Sequence, residues 1–191
     1  MSSIAHKLPA LTLLAARMPG LAGSMCAAFI AFSVSAPAAD LASEAAVKAA
    51  FVYNFAKFVE WQTPNQVNAA DVKICVAGVD GDLAASMGGL EGKPVQSRTV
   101  SIRREPKVGD LDACQILLVG AGARPLAELS RGKPGLLTVS DMKGFAAAGG
   151  IIELFAEDGK MRFEINLGAA QRAGLRISSQ LLKLAKVTPE Q

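Results

Sequence analysis

A chain of 191 residues, half of them apolar and with a formal net charge of only +3, can fill one sizeable core but lacks the basic footprint of a nucleic-acid binder. Its single histidine, His6, falls in a segment that reads as an export leader. The exported part therefore holds no Ser-His-Asp triad, no histidine general base and no histidine metal ligand.

Lys7 and Arg17 are the only charges before Asp40, apart from His6. An apolar run from Leu21 to Val34 leads to Ser35-Ala36-Pro37-Ala38-Ala39, an A-x-A type of cleavage site. The expectation is a signal peptide over 1–38 and a single domain over 39–191. The run is short for a bilayer span, and an uncleaved anchor is the alternative. On cleavage the acids stay at 17 and the bases fall from 20 to 18, because Lys7 and Arg17 go, leaving +1.

Ser43 is placed to cap a helix running to about Trp61, with Glu44 in its first turn. Val47, Phe51, Phe55, Phe58 and Trp61 share one face at helical spacing, which predicts a core-facing stripe. Asn54 lies inside that arc and needs a partner, a backbone group or a ligand. A loop is expected from Gln62 to Asp71. Val72 to Gly78 reads as a strand, followed by a short helix over Leu83–Met87. Gly88 to Pro94 has the glycines of a phosphate loop but neither its full spacing nor the Ser/Thr after Lys93, so it reads as a turn. Thr99–Arg103 is the next strand, and Arg98, Arg103 and Arg104 are expected to form a basic edge.

Ala113 to Gly120 is a nearly continuous apolar run, the pattern of a central strand covered on both faces. Gly120-Ala-Gly122 follows it, but a lone G-x-G is weak support for a dinucleotide site. Gly135–Ser140 is another strand, and Phe145–Gly150 a loop. Ile152–Ala156 and Met161–Leu167 then flank Asp158-Gly159, a pair suited to a type I′ turn. A two-residue loop pairs Ala156 with Met161, Leu154 with Phe163 and Ile152 with Ile165, all apolar. It also sets Glu153 across from Glu164, either a solvated face relieved by Arg162 or an acidic contact for a cationic partner. Asn166 and Gly174 are placed to cap a short helix, and Ser178 to cap a last one carrying Leu181, Leu182, Leu184, Ala185 and Val187. The whole predicts an α/β fold: a mostly parallel sheet flanked by helices, with a late antiparallel hairpin and a C-terminal helix.

Two cysteines, Cys75 and Cys114, follow the leader; in an exported chain two thiols pair more often than they stay free.

Phe51-Val-Tyr-Asn-Phe-Ala-Lys-Phe-Val-Glu-Trp61, Leu90-Glu-Gly-Lys-Pro94, Leu137-Thr-Val-Ser-Asp141, Gly149-Gly-Ile-Ile152 and Phe163-Glu-Ile-Asn166 through Leu184 together resemble the YfiR family of small periplasmic proteins over about residues 44 to 187. The resemblance implies a periplasmic regulator without cofactor or catalysis. It would bind the periplasmic domain of an inner-membrane diguanylate cyclase, or a sensor kinase, and hold it inactive. An OmpA-like lipoprotein would sequester the regulator, raising cyclic di-GMP and promoting biofilm growth. The resemblance also implies a homodimer, and Cys75 and Cys114 match one family cysteine pair. A second, later pair is absent, which weakens any redox control requiring both, and Trp61-Gln-Thr-Pro64 departs from the family's usual Trp-Pro. The Cys75–Cys114 bridge is then either a labile switch or an ordinary structural staple.

Candidate contacts for a protein partner are Arg98, Arg103 and Arg104, and the pair Arg172 and Arg176. A second function, a periplasmic small-ligand receptor, would use Asn54, Arg172 or Arg176 as polar groups in an α/β crevice. An enzyme would need Asp141 and Glu164 brought together as an acid/base pair.

Overall fold

The computed structural model describes residues 43–62 and 69–188. The leader assigned to 1–38 and most of the loop after Gln62 lie outside the described residues. In chain order the elements are α1 (Glu44–Phe58), β1 (Val59–Trp61), β2 (Asp71–Ala77), α2 (Gly81–Gly88), β3 (Pro94–Val95), β4 (Arg98–Arg104), β5 (Ile116–Val119), α3 (Arg124–Leu129), β6 (Leu137–Ser140), β7 (Ile152–Glu157), β8 (Lys160–Asn166), α4 (Leu167–Arg172), β9 (Leu175–Ile177), α5 (Ser179–Leu182) and β10 (Lys186–Thr188).

The Asp-Gly turn forms as its chemistry requires. Asp158 and Gly159 both take positive φ, 51° and 70°, and β7 and β8 pair in the expected register: Ala156↔Met161, Leu154↔Phe163, Ile152↔Ile165 and Glu153↔Glu164. This hairpin is one part of a sheet in the order β10-β8-β7-β6-β5-β2-β4-β3. Neighbours from β7 to β4 run parallel, as do β8 and β10; only β7/β8 and β3/β4 are antiparallel. Alternation along β2 and β5 sends Val72, Ile74, Val76, Ile116 and Leu118 to the core beneath α1 and α2. Cys75, Leu117 and Val119 go to the other face, with Leu111, Ala127, Leu136 and Phe145. The sheet is thus covered on both sides, which explains the unbroken apolar run of β5.

Three expectations change. The first helix ends at Phe58, and Val59–Trp61 become β1, paired with β9 as Val59↔Ile177, Glu60↔Arg176 and Trp61↔Leu175. The apolar period runs through Trp61, but pairing with a distant strand wins: Ser178 N–H donates to Phe58 O at 3.0 Å and Trp61 Nε1–H to Gly135 O at 3.0 Å. The buried face of α1 is also rotated from the expected stripe. Ala49, Val52, Phe55 and Ala56 are buried, Val47, Phe51 and Phe58 are half-buried, and Asn54 is exposed. Two small alanines let the helix lie close on the sheet, while Phe51, Phe55 and Phe163 meet with ring centroids 5.2–6.1 Å apart. Finally, Ser178 does cap α5, accepting from Leu181 N–H at 3.2 Å, but this C-terminal helix is one turn long. β-branched Val187 and Thr188 continue as β10 on the edge of β8, leaving Leu184 71% exposed.

The N-terminal cap is as expected, with Ala46 N–H donating to Ser43 Oγ at 3.2 Å. Lys48 then ties α1 to the end of β6, its ammonium 2.9 Å from Glu44 and 2.6 Å from Asp141. Burial lowers the Lys48 pKa, but the hydrogen bonds its ammonium donates to Asp141 and Glu44 outweigh it and hold the group above the ordinary 10.5. A cation with a raised folded pKa stabilises below its unfolded value and loses that contribution as pH climbs through the folded one. Lys48→Met is therefore expected to cost ~1 kcal/mol at pH 8. Urea titrations repeated above the lysine range should show the gap between variant and parent closing.

Candidate functional site

Cys75 lies in β2 opposite Leu117, and Cys114 ends the 3-10 turn Val108–Ala113 just before β5. They form a disulfide with Cα atoms 5.9 Å apart, within the ordinary range, and both are fully buried in the second core. Exchange requires an attacking thiolate to reach sulfur, so this burial favours a structural staple over a labile switch.

The arginines of β4 do not form one edge. Alternation puts Arg98 and Arg104 on one face of the strand and Arg103 on the other. Half-buried Arg98 lies 5.7 Å from the centre of the Trp61 ring; burial draws its guanidinium pKa down and Asp71 pushes back. Arg104 Nη2–H donates to Ala84 O in α2 at 3.1 Å. Arg103 pairs with Asp110 at 2.8 Å. The Lys107 backbone N–H, aided by Arg103, holds that carboxyl below the usual range.

Arg176, on β9, lines a groove of about 440 Å³ with Gln62, Gln171 and an apolar floor of Leu167, Ala170 and Leu182. Arg172 and Asn54, both exposed, are not part of its lining. A second hollow of about 470 Å³, bordered by Glu60, Trp61, Gln96 and Arg98, lies along β1. The residues alone do not reveal it, because Trp61 continues the helical period of α1 and only pairing with β9 turns it into a strand.

Parallel α/β sheets bind ligands outside the carboxyl ends of their strands, where successive crossovers diverge. Here that point lies between β2 and β5, and backbone fills it. Gly122 N–H donates to Gly78 O at 3.0 Å, and Gly120 N–H to Ala77 O at 2.9 Å. Gly78 takes φ +61°, and a Cβ there would overlap the backbone of Ala123. The G-x-G after β5 is thus explained by loop packing.

Asp141 and Glu164 border one shallow groove, but each is engaged: Asp141 with Lys48, and Glu164 accepting from Thr188 Oγ1–H. Glu153, across from Glu164, is buried and neither solvated nor offered to a partner. Its two carboxylate oxygens accept from Gly144 N–H at 3.0 Å and Ala146 N–H at 3.1 Å, holding the loop of residues 142–150. Asn166 assists from both ends of its amide, accepting from Ala169 N–H at 2.9 Å as the α4 cap and donating to Ala146 O at 2.8 Å. Glu153→Ala would leave two amides without a partner and is expected to cost ~2–4 kcal/mol. Glu153→Gln keeps one acceptor and should lose about half of that. Thermal unfolding of the two variants beside the parent checks the order.

Among the described residues there is no cluster of three or more metal-ligating side chains, and no helix is long and apolar enough to cross a membrane. The model of the family described as YfiR/HmsC-like matches residues 45–186. No curated protein matches the chain. Among solved structures, a conserved domain protein from Vibrio cholerae is similar at 13% identity and TM-score 0.45, with 77% of this chain and 60% of that one covered. The ABC domain in complex with L-Trp from Streptococcus pneumonia is similar at 12% identity and TM-score 0.39, covering 60% of this chain and 54% of that one. The chain thus spans little more than half the length of these two proteins.

Proposed function

This chain belongs to the YfiR/HmsC-like family, and from that premise we propose that it is a periplasmic regulator that binds the sensor domain of an inner-membrane diguanylate cyclase and holds it inactive. The observation that carries the reading is the extent of the family match, which runs from the first turn of α1 to the start of β10 and so takes in every layer of the fold. Members of this family are regulators, not enzymes. In physical terms the regulator must bind the cyclase's inactive state more tightly than the active one; equal affinity for both shifts nothing. An OmpA-like lipoprotein that competes for the same surface would relieve the inhibition, and a homodimer would present that surface twice.

The Arg176 groove favours a second reading, a small-ligand receptor feeding a membrane signalling protein. An apolar floor rimmed by one guanidinium and two amides suits a small amphipathic anion. Binding to the folded state alone would raise the melting temperature with ligand concentration.

The test of the leading reading is reconstitution. The exported chain, added to the periplasmic side of proteoliposomes holding a candidate cyclase, should lower conversion of GTP to cyclic di-GMP and co-purify with the cyclase. Envelope pull-downs that recover no membrane signalling protein would reject it.

A further inference from the structure

We propose that the exposed face made by α3 and the loop of residues 142–150 docks on an anionic phospholipid surface. Arg124, Arg131 and Lys143 border one cleft there, with Glu128 the only carboxylate in its lining. None of the three cations forms an ion pair among the described residues. Arg124 and Glu128 lie on one stripe of α3, Pro125 and Leu129 make the adjacent stripe, and Arg131 follows in the turn just after the helix. Pro125 is exposed and Leu129 is 63% exposed, so cations and apolar surface meet the solvent side by side.

The loop is built to keep that face in shape. Phe145 anchors it in the second core, and Glu153 and Asn166 hold its backbone from below. A buried carboxylate is a costly way to fix a surface loop unless the loop's conformation matters. Outward, the loop offers Lys143 among Gly144, Ala147 and Ala148, whose short side chains let a flat surface approach the backbone.

Two observations favour lipid over an acidic protein. The cleft holds only about 70 Å³, too little to seat a partner's anchoring side chain. Leu129 also stands out from the surface, as an apolar group does when it enters the headgroup layer while neighbouring cations meet phosphates. Each cation near an anionic membrane strengthens partitioning by about fivefold.

The experiment is co-sedimentation of the exported chain with vesicles of phosphatidylethanolamine and phosphatidylglycerol at low salt. The triple variant R124Q/R131Q/K143Q should partition roughly a hundredfold less, and Leu129→Ser roughly tenfold less. Raising salt to about 0.5 M should remove most of the difference between parent and triple variant. All four positions are exposed, so melting temperatures should stay near the parent's and confirm folding. Equal partitioning of parent and triple variant, or no binding at low salt, overturns the proposal. Loss of binding to an acidic protein by the same variant, with vesicles ignored, overturns it in favour of a protein interface.

Discussion

With Cys75 and Cys114 both replaced by alanine, the chain is expected to unfold about 4 kcal/mol more easily than the parent. The bridge joins residues 39 apart, and that loop closure is a constraint the unfolded chain loses. The folded state should change little, because both side chains are buried in a cluster that Leu111, Leu117 and Phe145 already fill. For a chain of this size the loss corresponds to a fall of roughly 8–16 °C in melting temperature. Burial adds a kinetic expectation. Under native conditions a small thiol reductant should open the bridge no faster than the chain unfolds, since sulfur must be reached before exchange begins. Mass spectrometry of alkylated protein across a urea series reads this directly: alkylation at Cys75 and Cys114 should track the unfolding curve. Rapid reduction of folded protein with no change in melting temperature would instead restore the redox-switch reading.

What could be read from the residues follows a physical division. Signals that act within a few residues came through: the Asp158-Gly159 turn, the alternation of Met161 to Leu167, and the caps at Ser43, Asn166 and Ser178. So did the apolar run of β5, because burial on both faces leaves a one-dimensional trace. Features decided by distant partners did not. Val59–Trp61 prolong the helical period of α1, and only the approach of β9 turns them into a strand. Val187 looks like the end of a helix until the free edge of β8 is available. At the candidate sites the gap is wider. Arg98, Arg103 and Arg104 are neighbours in sequence, yet a strand sends alternate side chains to opposite faces, where each finds a different partner. Glu153 stands on the polar face of a hairpin, and nothing nearby in the chain says that residues 142–150 fold over it. The groove beside Arg176 was reached only in part, through Arg176 itself, because its floor comes from α4 and α5.

Gly78→Ala is expected to be among the most damaging single changes in the domain, at ~4 kcal/mol or more. Two independent costs combine there. The residue holds φ +61°, which an L side chain tolerates poorly, and the new Cβ would overlap Ala123 N and lie 2.6 Å from Gly122 C. These are backbone atoms held by the hydrogen bond from Gly122 N–H to Gly78 O, so no rotamer change relieves the clash. Gly120→Ala meets Gly78 O just as closely but without the positive φ, and should cost somewhat less. At Gly122 the nearest atoms are 3.0–3.4 Å away, a fit reached by small shifts. Gly81 has nothing within 4 Å and opens α2, so Gly81→Ala should be neutral or slightly stabilising. The expected order of loss is therefore 78, 120, 122, 81. Urea unfolding followed through Trp61, the sole tryptophan, measures all four variants on one probe. If Gly78→Ala proves as stable as Gly81→Ala, the loops after β2 and β5 are not in contact and the crevice between them is open to a ligand.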